Sequence, residues 1–187
     1  MFLVPFAFSS REHLTCVSMT HPQHDETGEY YFRYIDLIQT DDILATLRAQ
    51  LSDTQTFLAE ISEDQSLHRY APDKWTVREV LSHINDTERV FVNRALWFAR
   101  GFGDRLPGFD QDISVAGASA NSVSWAGLTN EFSNVRKATI SFFENLPSEA
   151  WMRSGIASDN PFTVNALAYI IAGHVNHHRK VISERYL

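Results

Sequence analysis

Thr76-Val77-Arg78-Glu79-Val80-Leu81-Ser82-His83-Ile84-Asn85-Asp86-Thr87-Glu88-Arg89-Val90-Phe91 decides how the rest of the chain is read. Thr76 and Glu79 make a T-x-x-E capping box, in which each side chain satisfies a backbone N–H that a helix start would otherwise leave unpaired. Val80, Leu81, Ile84, Val90, Phe91 and Leu96 then recur at helical spacing, until Gly101 and Gly103 end the pattern. An apolar stripe this long needs partners, and three further segments carry the same period.

The first lies upstream. It starts at Thr40, with Asp41 and Asp42 in the favourable first turn, and runs through Ile43, Leu44, Leu47, Leu51, Phe57 and Leu58 to about Ile61. The third runs from about Ser124 to Leu146 on Trp125, Leu128, Phe132, Val135, Ile140 and Phe143, and Pro147 stops it. The fourth begins at Thr163, after Asn160-Pro161. Each spans about twenty residues, or roughly 30 Å, and matched lengths are what a bundle requires. The expectation is an all-α, antiparallel four-helix bundle over residues 40–187, with residues 1–39 an N-terminal extension, partly disordered or loosely docked. Met1 to Phe8 is apolar but lacks the positive region of a secretory signal and is too short to span a bilayer. Met19 precedes a polar stretch, so translation could begin there; His21 and His24 in that stretch are expected to bind nothing specific. Gly101 to Asn121, with Leu106-Pro107-Gly108-Phe109-Asp110 and the small-residue run Ala116 to Ala120, is expected as a loop of about twenty residues, functional or mobile.

With 187 residues, 44% of them hydrophobic, the chain fits one domain with a sizeable core. Its net charge of -7, without a Lys/Arg cluster longer than a pair, argues against nucleic acid as a partner, because such affinity rests on cationic neutralisation of phosphates. The single Cys16 excludes an internal disulfide and a thiol-ligated zinc site, and fits a reducing cytoplasm.

Chemistry concentrates in Gly173-His174-Val175-Asn176-His177-His178. Histidines four apart stack one turn above each other. On the face defined by Leu167, Ile171, Val175, Val181 and Ile182, His178 falls near the centre and His174 about 40° away, while His177 lies about 100° off, on the rim. A core histidine is ordinarily a neutral imidazole bonded to a backbone carbonyl. Two facing inward together suggest a metal instead, and His83, the remaining histidine inside a helical pattern, is the natural third ligand. Three imidazoles at about 2.0–2.1 Å would hold Zn²⁺, and equally Ni²⁺ or Fe²⁺, with a position open for water or substrate.

Lys74 to Glu88, followed by Arg94 and by His174 to Arg179, resembles the DinB-like (YfiT-like) superfamily, over about residues 40–187. The resemblance implies a four-helix bundle whose divalent metal is held by one histidine of the second helix and an H-x-x-x-H pair of the fourth, here His83, His174 and His178. It also implies a small-molecule substrate, a homodimer, and a low-molecular-weight thiol such as bacillithiol, mycothiol or glutathione as cosubstrate. Trp75, Glu88 and Arg94 match positions commonly filled in this way. Trp75 is expected to be a packing anchor; Glu88 and Arg94 are expected to pair with each other or to orient a ligand histidine. Asp86 and His177 are weaker candidates for supporting the ligands or touching substrate. No side chain reads as a general base, so no catalytic residue is assigned beyond the histidines. The reading is a metal-dependent thiol S-transferase called on under stress. The same site could instead activate water and make a hydrolase. A third possibility is a non-catalytic stress protein whose metal only staples the bundle, which predicts no substrate-sized cavity beside the histidines.

Overall fold

Side-chain caps set where the helices begin in the computed structural model, which describes residues 20–187; the apolar tail, Met19 and Cys16 lie outside the described residues. A 3₁₀ turn at Glu29–Tyr31 leads into α1 (Phe32–Ile35). The long α2 (Ile43–Ala59) follows, then the single turn α3 (Glu63–Ser66). Next come α4 (Val77–Ala99), α5 (Gln111–Ala118) and α6 (Trp125–Glu144). A hairpin of β1 (Ser154–Ala157) and β2 (Asn160–Thr163) precedes α7 (Val164–Arg185). The capping box at the head of α4 is formed: Thr76 Oγ1 accepts from Glu79 N at 3.1 Å, and Glu79 Oε2 accepts from Thr76 N at 2.7 Å. At α2 the cap is Asp42, whose carboxylate accepts from Ala45 N at 2.9 Å, while Thr40 Oγ1 accepts from Asp42 N and stays outside the helix.

The four long helices form the expected four-helix bundle, but not an all-antiparallel one. α4 packs on α6 and α7, and α2 packs on the same two, which puts α2 and α4 on a diagonal although they are consecutive long helices. Direction follows from the cross-links. Trp75 meets Tyr186 and His83 meets His178, so α4 and α7 are antiparallel. Leu58 meets Trp125 and Arg48 meets Glu144, so α2 and α6 are antiparallel as well. The two pairs meet with parallel neighbours, for Gln50 and Thr54 bond Asn176 and Arg179, while Asn85 and Arg89 bond Leu128 and Glu131. No helix among the described residues is long and apolar enough to cross a membrane.

Three segments depart from the sequence reading. The stretch 20–39 is not loosely docked: Phe32, Ile35 and Ile38 are buried in the core. Glu26 ties it to the start of α7, its backbone carbonyl accepting from Thr163 N and its carboxylate from Thr163 Oγ1 and Asn165 Nδ2. A carboxylate at a helix N-terminus is electrostatically favourable. The presumed loop from Gly101 to Asn121 contains α5, capped by Asp110, whose carboxylate accepts from Asp112 N and Ile113 N. The small residues after Ile113 permit that helix as readily as a loop. The hairpin is not legible in the sequence, because four residues per strand give too little alternation; Leu106 N bonds Ile156 O and pins the 101–110 connection to it.

Gly173 has a packing reason. A Cβ there would overlap the Tyr34 carbonyl, where α1 crosses α7 one residue before His174. Overpacking that backbone should make Gly173→Ala destabilising by about 1–3 kcal/mol, read from urea denaturation midpoints; an unchanged midpoint would mean that α1 is free to move off α7.

The candidate metal centre

The bundle's apolar residues form two clusters. One is built around Phe98, Phe143, Leu167 and Ile171, the other around Leu81, Ile84, Leu128 and Val175. Between them lies a layer of buried polar groups that includes His83, His174, Glu88, Arg136 and Gln50. Burying such groups is unfavourable unless each finds partners, so this layer is where the chain's chemistry is decided.

His83 comes from the second turn of α4, and His174 and His178 come from successive turns of α7. His174 Nε2 lies 3.1 Å from His83 Nε2 and 3.1 Å from His178 Nε2, and ligand atoms of all three lie within 4.8 Å of one another. Nitrogens that share one ion at 2.0–2.1 Å sit about 2.8–3.4 Å apart across octahedral to tetrahedral angles. The donor set therefore fits a first-row divalent ion. His83 and His174 are each 4% exposed, and Tyr34 of α1 lays its ring edge against His174 with centroids 5.3 Å apart. His178, expected at the centre of the face, is only partly buried, since nothing comparable covers it.

Protonation state agrees with ligand chemistry, which needs the neutral imidazole. Burial pushes His83 down to about 4 and His178 down to about 2, and it holds His174 well below its ordinary value; the neighbouring histidines act in the same direction. Since the unfolded chain takes up protons near pH 6.5 and folded His83 only near 4, stability of chelator-treated protein should fall as pH drops through that window. The slope should be about 1.4 kcal/mol per pH unit for each such histidine. Urea midpoints measured from pH 7 to 4 would show it, and a flat profile would contradict the burial of these rings.

The remaining sequence candidates separate. Trp75 sets its ring 5.0 Å from His83, and its carbonyl accepts from the Tyr186 hydroxyl at 2.9 Å. His177 sits half-buried on the rim, edge-on to Tyr34. Asp86 points away from the histidines, accepting from Ser114 of α5 and pairing with Arg89. Glu88 and Arg94 do not pair with each other. Glu88 accepts from Arg136 Nε and Nη2 at 2.9 and 2.8 Å, while Arg136 Nη1 bonds Gln50 Oε1 and Gln50 Nε2 bonds Ala172 O and Asn176 Oδ1. One chain of hydrogen bonds thus joins all four long helices. Arg94 lies two turns further along α4 and points elsewhere, because residues six apart on a helix face different ways.

Sequence reasoning missed Arg136, Gln50, Tyr34 and Thr87, whose Oγ1 lies 3.3 Å from His83 Nδ1 and can fix that ring's tautomer. The histidines stand between two cavities. One, of about 250 Å³, has His83 and His174 in its wall together with Tyr31, Tyr34, Phe91 and Arg94. The other, of about 420 Å³, reaches His177 and His178 from the side of Trp75 and Tyr186. Phe109 and Gln111, from the segment first read as a loop, line the former.

Residues 46–182 match the DinB superfamily, and the chain belongs to that family. Among solved structures it is similar to YfiT from Bacillus subtilis, described as a probable metal-dependent hydrolase with an unusual four-helix bundle topology, with a TM-score of 0.64 and 16% identity over 77% of this chain and 83% of that one. It is also similar to the mycothiol-dependent maleylpyruvate isomerase, with a TM-score of 0.64 and 11% identity over 78% of this chain and 61% of that one. At these identities the likeness is one of fold. No curated protein matches the sequence.

Proposed function

We propose that His83, His174 and His178 hold one divalent ion, zinc or nickel before iron, and that the protein transfers a low-molecular-weight thiol to a small electrophile. The observation that carries this reading is the approach of three neutral imidazoles, two of them 3.1 Å on either side of His174, in the walls of cavities large enough for small molecules. A bound divalent ion would hold a thiol as thiolate at neutral pH, well below its usual pKa near 8.5. Overall, the sulfur would bond to the electrophilic carbon and the thiol proton would go to solvent, while that carbon would expel its leaving group or, in an addition, the neighbouring atom that receives the electron pair would take a proton back. No cysteine of the chain is required.

The protein's own groups have definite tasks in this scheme. Thr87 can orient His83, while Tyr34 and Phe91 exclude water from the His174 side. Burial raises the Tyr31 and Tyr34 hydroxyls above their ordinary pKa, so both stay protonated and can donate to an oxygen that gains charge during reaction. A cavity on each side of the histidines suits two organic reactants, and the cavities also favour catalysis over a metal that only staples the bundle.

Hydrolysis at the same site is the second reading, favoured by the description of YfiT as a probable metal-dependent hydrolase. A thiol-dependence assay separates the two. The metal-loaded protein is mixed with electrophilic aryl halides, unsaturated carbonyl compounds and activated esters, with and without glutathione, bacillithiol or mycothiol. Turnover that requires thiol supports transfer; ester turnover independent of thiol supports hydrolysis. Light scattering of the same sample tests the accompanying proposal of a homodimer.

A further inference from the structure

Three arginines are buried among the described residues, and two of them have a carboxylate: Arg78 pairs with Glu63, and Arg136 with Glu88. Arg94, 4% exposed, has none within ion-pair distance among the described residues. Its Nη2 donates to Ser158 Oγ at 2.7 Å and to the Pro107 carbonyl at 3.3 Å, both neutral, and its guanidinium lies 5.7 Å from the ring centres of Phe91 and Phe162. Burial works against the charge there. A buried cation without an anion is costly, and such sites are where a ligand completes the pairing.

Its position supplies the second argument. His83, Thr87, Val90, Phe91 and Arg94 form one stripe along α4, and all five line the cavity that reaches His174. That cavity has tyrosine and serine hydroxyls in its wall but no aspartate or glutamate, although the chain as a whole carries a net charge of -7. Ser158 and Asp159 are the two residues of the β1–β2 turn and both adopt positive φ, 48° and 60°, the backbone that a two-residue hairpin turn requires. That turn sets Ser158 Oγ 2.7 Å from Arg94 Nη2.

We propose that Arg94 anchors a carboxylate on the small-molecule substrate, whose reactive end lies at the three histidines. This rests on reading the histidines as a metal centre. A carboxylate suits the site better than a phosphate, because one guanidinium fork with neutral hydroxyls around it matches a planar monoanion and would leave a phosphate dianion half neutralised. The substrate must be elongated, since eleven residues of helix separate the Cα atoms of His83 and Arg94 by about 16 Å before their side chains close part of that gap.

The test uses zinc-loaded protein, its metal content fixed by elemental analysis, and titration calorimetry with ω-mercapto carboxylates of two to eight carbons, each beside its neutral amide. At the chain length that spans the site the acid should bind about ten-fold or more tighter than the amide, as expected for hydrogen bonds to a charged group. In Arg94→Gln the ratio should collapse to near one with zinc content unchanged. Arg94→Lys keeps the charge without the fork; it should lose several-fold of the preference and serves if Arg94→Gln does not fold. An undiminished ratio in the variants overturns the proposal, as does inorganic phosphate competing better than any carboxylate. If the wild type holds no metal, the metal-centre reading fails by itself, and benzoate and succinate are titrated instead: binding lost in Arg94→Gln sustains the anchor, and no binding to the wild type overturns it.

Discussion

Glu88→Ala is expected to lower stability by about 3–5 kcal/mol, the loss found when one member of a buried ion pair is removed. Against total stabilities of about 5–15 kcal/mol, this would leave the fold marginal. The side chains of Arg136 and Glu88 are 0% and 2% exposed, and the pair is bidentate. Without the carboxylate, Arg136 keeps only Gln50 as a hydrogen-bond partner. The cost is that of an orphaned charge, so it should vanish when both partners become apolar. Glu88→Leu with Arg136→Met should be far closer to wild type than Glu88→Ala, and a double-mutant cycle read by urea denaturation would show strong coupling. A loss below about 1 kcal/mol for Glu88→Ala would mean that water reaches Arg136 and that the polar layer is not sealed.

That layer also shows what the sequence could and could not disclose. The caps were legible because they are local: Thr76 and Glu79, Ser124 and Thr163 each act on a backbone N–H within three residues. The three histidines were legible because a helix fixes which side chains share a face. Glu88 reads as a charge directed inward, for which the sequence offers Arg94 on the same helix. The true partner was signalled in α6, where Leu128, Phe132, Ile140 and Phe143 leave one place in the inward stripe, and Arg136 occupies it. A charged residue at the missing position of an apolar stripe must meet its opposite charge across the bundle. Which helix supplies it depends on the diagonal placement of α2 and α4, and no periodicity encodes that. Tyr34 escaped for a different reason. The run from Tyr30 to Ile35 has apolar residues at helical spacing, but α1 is four residues long and owes its place to contacts with α7. Gly173 marked that crossing in the sequence without revealing what crossed it.

Zinc supplied at about one hundred times its dissociation constant should stabilise the wild-type protein by about 2.7 kcal/mol, because ligand binds the folded chain in preference to the unfolded one. For a domain of this size that is a rise in Tm of roughly 5–10 °C. His174→Ala should abolish the increment, since His174 Nε2 is the atom that both other histidines approach at 3.1 Å. His177→Ala should keep it, since His177 stands on the rim, half-buried against Tyr34. Removing His174 also truncates a buried side chain, so the metal-free variant will melt lower than the wild type. The comparison therefore rests on the zinc-dependent increment within each protein, in which that packing loss cancels. Elemental analysis after dialysis reads the same site without heat: about one ion per chain for the wild type and His177→Ala, and almost none for His174→Ala. An equal increment in all three would place the ion elsewhere. The proximity of His83, His174 and His178 would then be that of neutral core imidazoles, and the two cavities would have to be explained without a metal. The increment should also weaken below pH 6.5 far less than for ordinary surface histidines. Burial has already stripped the folded site of protons, so an entering ion has few to displace.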